Sequence, residues 1–270
     1  MTPRENLPIG IFDSGLGGLT VAKAVHRLLP NEHLLYVGDT ARVPYGTKSP
    51  EMIKKYAFQI SFFLLQKKVK ALVVACNSVS AVALKALQDL PIPVVGVIDP
   101  GARAAALSTS NMRVGIIGTN ATIRSHSYTS AIRHYSSRVR VVEQACPLFV
   151  PLVEEGWTNS PITLGVAQEY LRPFRKTKID TLILGCTHYP LLKHLIQSVM
   201  GRGVHLIDSA EETAKDVAAT LKKTKLLNSS TQPGRLTFFV TDNPASFVRN
   251  GQKFFGPSLP AAKLLRFDSV

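Results

Sequence analysis

Two apolar runs of this 270-residue chain end in a cysteine with polar neighbours: Ala71-Leu-Val-Val-Ala-Cys76-Asn77-Ser78 and Thr181-Leu-Ile-Leu-Gly-Cys186-Thr187-His188. Runs of four or five apolar residues bounded by a polar loop are too short for a helix and read as buried strands, each delivering its cysteine at the strand's end. Open α/β sheets place their chemistry at such ends. Two thiols on opposite sides of one carbon can remove a proton from one face and return one to the other, inverting a stereocentre without a cofactor. A free cysteine, with a pKa of roughly 8.5, is only a few per cent thiolate at neutral pH, so His188 beside Cys186 is placed to poise that thiol. The third cysteine, in Ala145-Cys146-Pro147, has no polar neighbour and reads as a small buried hydrophobe.

Composition narrows the classes. The chain is 45% hydrophobic and 19% charged, enough for one large or two ordinary globular domains. Its apolar runs are strand-sized and its start, Met1-Thr-Pro-Arg-Glu-Asn-Leu-Pro, carries no apolar leader, so a soluble cytoplasmic protein is expected. Three cysteines without a C-x-x-C pair build neither a disulfide framework nor a four-cysteine zinc site. Cys186 and His188 are two ligands where a metal needs at least three.

The 32 basic and 18 acidic residues give a formal charge of +14, which makes an acidic partner or substrate worth testing. The basic clusters at Lys67-Lys68-Val-Lys70, Arg175-Lys176-Thr-Lys178 and Lys222-Lys223-Thr-Lys225 fall where helical patterns end, and are expected as solvated helix termini. No zinc finger, aromatic-rich recognition strand or sustained basic helix accompanies them, so nucleic acid is not expected as a partner.

Strand-like runs at 9–12, 34–37, 71–75, 94–98, 114–117, 139–142, 181–184, 204–207 and 236–240 alternate with helical patterns, which predicts α/β architecture with mainly parallel sheets flanked by helices. The clearest helix follows Ser49 as N-cap and Pro50 as first residue, with Ile53, Tyr56, Ile60, Phe63 and Leu64 on one face. Ile9-Gly-Ile-Phe-Asp-Ser-Gly is echoed by Val114-Gly-Ile-Ile-Gly-Thr-Asn, and Cys76 by Cys186 at a similar spacing. Two pseudo-symmetric halves facing each other, one cysteine from each, is the economical reading.

Three loops join the cysteines as candidates. Phe12-Asp13-Ser14-Gly15-Leu16-Gly17-Gly18-Leu19 follows a strand and opens a helix, leaving backbone N–H groups for an anion such as a carboxylate; it fits neither the Walker nor the dinucleotide spacing. Asp13 at its start is either a helix cap or a catalytic acid. Gly38 to Gly46 is a polar turn, and Gly118-Thr119-Asn120-Ala121-Thr122 sits at the echo of the glycine loop, where capping explains either threonine.

Taken in order, Phe12-Asp-Ser-Gly-Leu-Gly-Gly, Val43-Pro-Tyr-Gly46, Ala75-Cys-Asn-Ser-Val-Ser-Ala81, Gly118-Thr-Asn-Ala-Thr122, Cys146-Pro-Leu-Phe-Val-Pro-Leu-Val-Glu-Glu-Gly156 and Leu184-Gly-Cys-Thr-His-Tyr-Pro190 resemble the bacterial glutamate racemases over nearly the whole chain. The resemblance implies a cofactor-independent isomerase that interconverts L- and D-glutamate by a two-base mechanism and supplies D-glutamate for peptidoglycan. It also implies an active-site cleft between two α/β domains, residues 1–98 with 209–270 and residues 99–208, the last part of the chain returning to the first domain.

Matched residue by residue, Cys76 and Cys186 become the acid/base thiols, with Asp13 assisting the first and Glu154 and His188 the second. Asp13, Ser14, Tyr45, Gly46, Asn77, Ser78, Thr119, Thr122, Thr187 and His188 become substrate-holding positions. Many members have threonine where this chain has Ser78, which keeps the hydroxyl and removes a methyl. Glutamate is then the small-molecule partner, with no membrane, and a homodimer is left open. The rival readings are a racemase of aspartate or another amino acid, and a non-catalytic basic protein that binds nucleic acid or a nucleic-acid enzyme.

Overall fold

The computed structural model describes residues 3–267. In chain order the strands are β1 (Ile9–Asp13), β2 (Leu34–Gly38), β3 (Ala71–Val74), β4 (Val94–Gly96), β5 (Arg113–Gly118), β6 (Arg140–Ala145), β7 (Thr181–Gly185), β8 (His205–Asp208), β9 (Leu236–Val240) and β10 (Ala262–Leu264). They form two sheets, ordered β10-β9-β2-β1-β3-β4 and β6-β5-β7-β8. Every pairing is parallel. Helices cover both sheets, so the architecture is α/β. In β1, β2, β3 and β7 every residue is buried, which is why these strands read as unbroken apolar runs rather than alternating ones.

The topology accounts for the internal echo. In the first sheet the chain runs from β1 out to β2 and then crosses β1 to β3; in the second it runs from β5 to β6 and crosses β5 to β7. The strand order therefore reverses beside β1 in one half and beside β5 in the other, and a crevice opens at the carboxyl ends of the strands flanking each reversal. Asp13 and Cys76 lie at the ends of β1 and β3; Thr119 and Cys186 lie at the ends of β5 and β7. The repeated segments are repeated because they occupy equivalent positions.

Local signals work as physical chemistry expects. Ser49 caps the helix Pro50–Gln66 by accepting from the Met52 N–H at 3.3 Å, and Ile53, Ile60 and Leu64 are buried beneath it. Tyr56 and Phe63 of the expected face are only partly covered, and Ala57 completes the buried stripe. Four expected strand ends fall outside the strands: Ala75 lies beyond β3, Ile98 starts the helix Ile98–Ser108, Val139 precedes β6 and Val204 precedes β8. β10 has no counterpart in the sequence reading, being a three-residue edge strand with its last two residues exposed.

One basic residue corrects the charge reading. Arg175, Lys176, Lys222 and Lys223 do occupy last turns of helices. Lys70, by contrast, is 1% exposed and paired with the equally buried Glu32, whose other carboxylate oxygen accepts from the Asn228 N–H at 2.8 Å. Removing one member of a buried ion pair leaves an uncompensated charge. Glu32→Ala is therefore expected to lower stability by about 3–5 kcal/mol, measured as the shift in a urea unfolding curve.

Candidate active site

A cavity of ≈ 310 Å³ opens between the two sheets, and both Cys76 and Cys186 line it. Cys76 follows β3 and immediately precedes the short helix Asn77–Val82; Cys186 follows β7. Each is 5% exposed. Cys146 is not among the lining residues: it is fully buried in the core, where the Tyr189 hydroxyl donates to its carbonyl at 2.8 Å.

The two thiols have different companions. The Cys76 thiol donates to Ser14 Oγ at 3.7 Å, and burial followed by the nearby Asp13 carboxylate pushes its pKa up from 9.0 to about 12. Cys186 Sγ lies 3.9 Å from His188 Nδ1, while His188 Nε2 is 2.9 Å from Glu154 Oε1. Burial alone depresses the His188 pKa, but the Cys186 sulfur and the Glu154 carboxylate outweigh it and raise it from 6.5 to about 10. At neutral pH the cavity thus holds a protonated thiol on one side and an imidazolium beside the thiol on the other.

The glycine loop holds an anion, but that anion is the chain's own. Asp13 is fully buried and its Oδ2 accepts from the Gly15 N–H at 3.0 Å, while Oδ1 is left without a partner. Burial raises the Asp13 pKa, opposed by His188 and by the loop's N–H groups. Gly17 presses against the other half, where a β-carbon would strike the Thr187 hydroxyl and the His188 ring. Glycine there lets backbone meet the loop carrying Thr187 and His188 directly.

The remaining candidates are spread through and behind the wall. Ser14, Tyr45, Gly46, Asn77, Ser78, Thr119, Glu154, Thr187 and His188 line the cavity; Asp13 and Thr122 do not and stand behind it. The Ser78 and Thr119 hydroxyls are 2.9 Å apart and those of Thr119 and Thr122 are 3.1 Å apart, a hydroxyl chain that crosses from one half to the other. Thr119 also caps the helix Asn120–Arg124, accepting from the Thr122 N–H at 3.3 Å. The Tyr45 hydroxyl is turned to Asp39, which also accepts from Arg42 Nε at 2.7 Å and from Thr241 Oγ1 at 2.8 Å. Asn77 Oδ1 accepts from the Tyr128 hydroxyl at 2.7 Å, and Asn77 Nδ2 is buried without a partner.

Sequence reasoning passed over two parts of this site. Val43, Pro44, Pro147, Val150 and Pro151 supply its apolar wall; they lie within the motifs quoted above, but their residue types alone do not mark them as lining a cavity. Asp39 and Tyr128 act through contacts that only the fold creates. Among the described residues no lysine or arginine lines the cavity, so their surplus positive charge lies outside it. Among the described residues no three His, Cys, Asp or Glu side chains converge as metal ligands.

Residues 10–217 match the Asp/Glu/Hydantoin racemase family. The chain belongs to that family. A glutamate racemase from Geobacter metallireducens is 55% identical over 252 residues, 93% of each chain. The structure of a glutamate racemase isoform from Bacillus anthracis matches at a TM-score of 0.93 and 40% identity, covering 97% of this chain and 98% of its own. A glutamate racemase from Francisella tularensis, solved in complex with D-glutamate, matches at a TM-score of 0.92 and 40% identity, covering 98% of this chain and 100% of its own. The match to the Asp/Glu/Hydantoin racemase family takes in both cavity cysteines.

The His188 cation makes a directional pH prediction. A pKa raised on folding contributes stability that is complete below the unfolded value of 6.5 and lost as pH rises through about 10. Unfolding midpoints in urea are expected to decline across that window. Glu154→Gln, by removing a group that raises the His188 pKa, is expected to end the decline at lower pH. The Cys76 contribution has the same sign between 9.0 and about 12 and stays in the variant.

Proposed function

We propose that this racemase interconverts L- and D-glutamate by two-base exchange at the α-carbon, one of Cys76 and Cys186 taking the α-proton while the other delivers its own, supplying D-glutamate for peptidoglycan in the cytoplasm. The observation that carries the reading is the pair of cysteines lining one cavity, one from the crevice of each sheet, with unlike companions. One cysteine, as thiolate, takes the α-hydrogen of glutamate as a proton. The other, as thiol, gives its proton to the opposite face of the same carbon. One C–H bond breaks and one forms, and the sulfur charge changes sides.

The asymmetry suits this work. A pKa near 12 makes Cys76 the thiol that donates, while the His188 cation stands beside Cys186 where negative sulfur is needed. In the reverse direction Cys76 must first lose its proton, and the nearby buried Asp13 carboxylate, behind the cavity wall, is the base for it. No side chain here withdraws electrons from the carbanion-like centre, so positioning and preorganised donors must lower the barrier. Orientation can contribute roughly 7–11 kcal/mol. The unpaired Asn77 Nδ2 and the Ser78, Thr119 and Thr187 hydroxyls are the donors for the substrate carboxylates.

In deuterated water, with neither pyridoxal phosphate nor metal added, each glutamate enantiomer is expected to exchange its α-hydrogen while converting to the other, as followed by NMR and chiral chromatography. A pure, folded protein that exchanges neither enantiomer refutes the reading.

Replacing Cys76 or Cys186 by alanine is expected to lower kcat by roughly 10²–10⁴-fold or more, since each removes a general acid/base group. Cys146→Ala should keep kcat and lose about 1 kcal/mol of stability. Full activity in Cys76→Ala would defeat the two-thiol assignment.

A further inference from the structure

Tyr128 touches the neighbours of both cavity cysteines. It is the second residue of the helix Ser127–Tyr135, in the half that carries Cys186, and is 1% exposed. Its hydroxyl donates to Oδ1 of Asn77, the residue after Cys76, at 2.7 Å. Its ring packs on Gly185, the residue before Cys186, where a β-carbon would approach the ring to 3.1 Å. The same helix start is fastened to the Cys76 half a second time, by Ser127 Oγ donating to the Ala81 carbonyl at 2.9 Å.

The hydroxyl also decides what Asn77 can offer. A side-chain amide has an acceptor end and a donor end, and a buried one takes the orientation its partners fix. A phenol donates more readily than it accepts, so the carbonyl end faces Tyr128. Nδ2 is thereby committed to the opposite side, where it is buried with no protein partner on a residue that lines the cavity. A buried N–H group without a partner is costly unless a ligand completes it.

We propose that Tyr128 is a positioning residue for the racemisation: its ring spaces the two cysteine-bearing strand ends, and its hydroxyl holds the Asn77 amide so that Nδ2 meets a substrate carboxylate. This rests on the assignment of Cys76 and Cys186 given above.

The test is a double-mutant cycle in kcat/KM for glutamate, using the full chain, Tyr128→Phe, Asn77→Ala and the two combined. Tyr128→Phe is expected to lower kcat/KM roughly tenfold or more, chiefly through KM, because the amide donor holds substrate before as well as during proton transfer. In the Asn77→Ala background the same change should cost less than roughly threefold, since there is no amide left to orient. A merely structural tyrosine would multiply its effect onto that of Asn77→Ala, and that result, or an unchanged kcat/KM in Tyr128→Phe, overturns the proposal. p-Aminophenylalanine in place of Tyr128 retains the ring and an N–H donor and should retain kcat/KM. A tenfold loss in that folded protein also overturns it, whether or not Tyr128→Phe folds. Absence of racemisation by the unsubstituted chain would instead defeat the underlying two-thiol reading.

Discussion

The proposed mechanism asks a buried thiol to ionise, which carries a desolvation cost, and the surroundings of Cys76 and Cys186 differ. At Cys76 the cost stands, and a buried carboxylate increases it. At Cys186 an imidazolium held by Glu154 stands opposite the sulfur. The remaining geometry serves this contrast. The glycine loop shields the Asp13 carboxylate with its own N–H groups, and the absence of a side chain at Gly17 lets that loop reach the His188 side. The proposed two-base mechanism needs one sulfur to start as base while the other starts as acid, and unlike environments suit that division.

The contrast needs two crevices brought mouth to mouth, and parallel sheets provide them. Strand order reverses next to β1 in one sheet and next to β5 in the other, so each half contributes one crevice with one cysteine. Side chains bridge the halves around the cavity rather than through it: Ser78 with Thr119, Tyr128 with Asn77, Ser127 with Ala81. These are neutral hydrogen bonds in buried or half-buried settings, strong enough to fix register without placing further charge beside the thiols.

Much of this was legible in the sequence. Buried parallel strands read as continuous apolar runs, so nine of the strands and both cysteine-bearing ends could be located within a few residues. The echo between Ile9 and Val114 was a topological fact expressed as a pattern. Less legible was whatever depends on a single distant contact. Lys70 looked like part of a solvated cluster because Glu32 lies far from it in sequence. Glu154 and His188 are paired across 34 residues, and nothing local marks either as the other's partner; family resemblance supplied that pair. β10 escaped because three residues at a half-exposed edge carry too little apolar pattern. Tyr128 reads as an ordinary core aromatic until its hydroxyl is seen to reach the other half.

The return of the chain to its first sheet sets an order of events during synthesis. β5 to β8 lie within residues 113–208, so the second sheet has all of its strands while the ribosome is still producing the rest. The first sheet does not: β2 pairs with β9, and until residues 236–240 emerge β2 remains an open edge with unpaired N–H and C=O groups. The half of the enzyme made first is the half finished last, and its exposed edge is where a nascent or truncated chain is most prone to pair with the wrong strand.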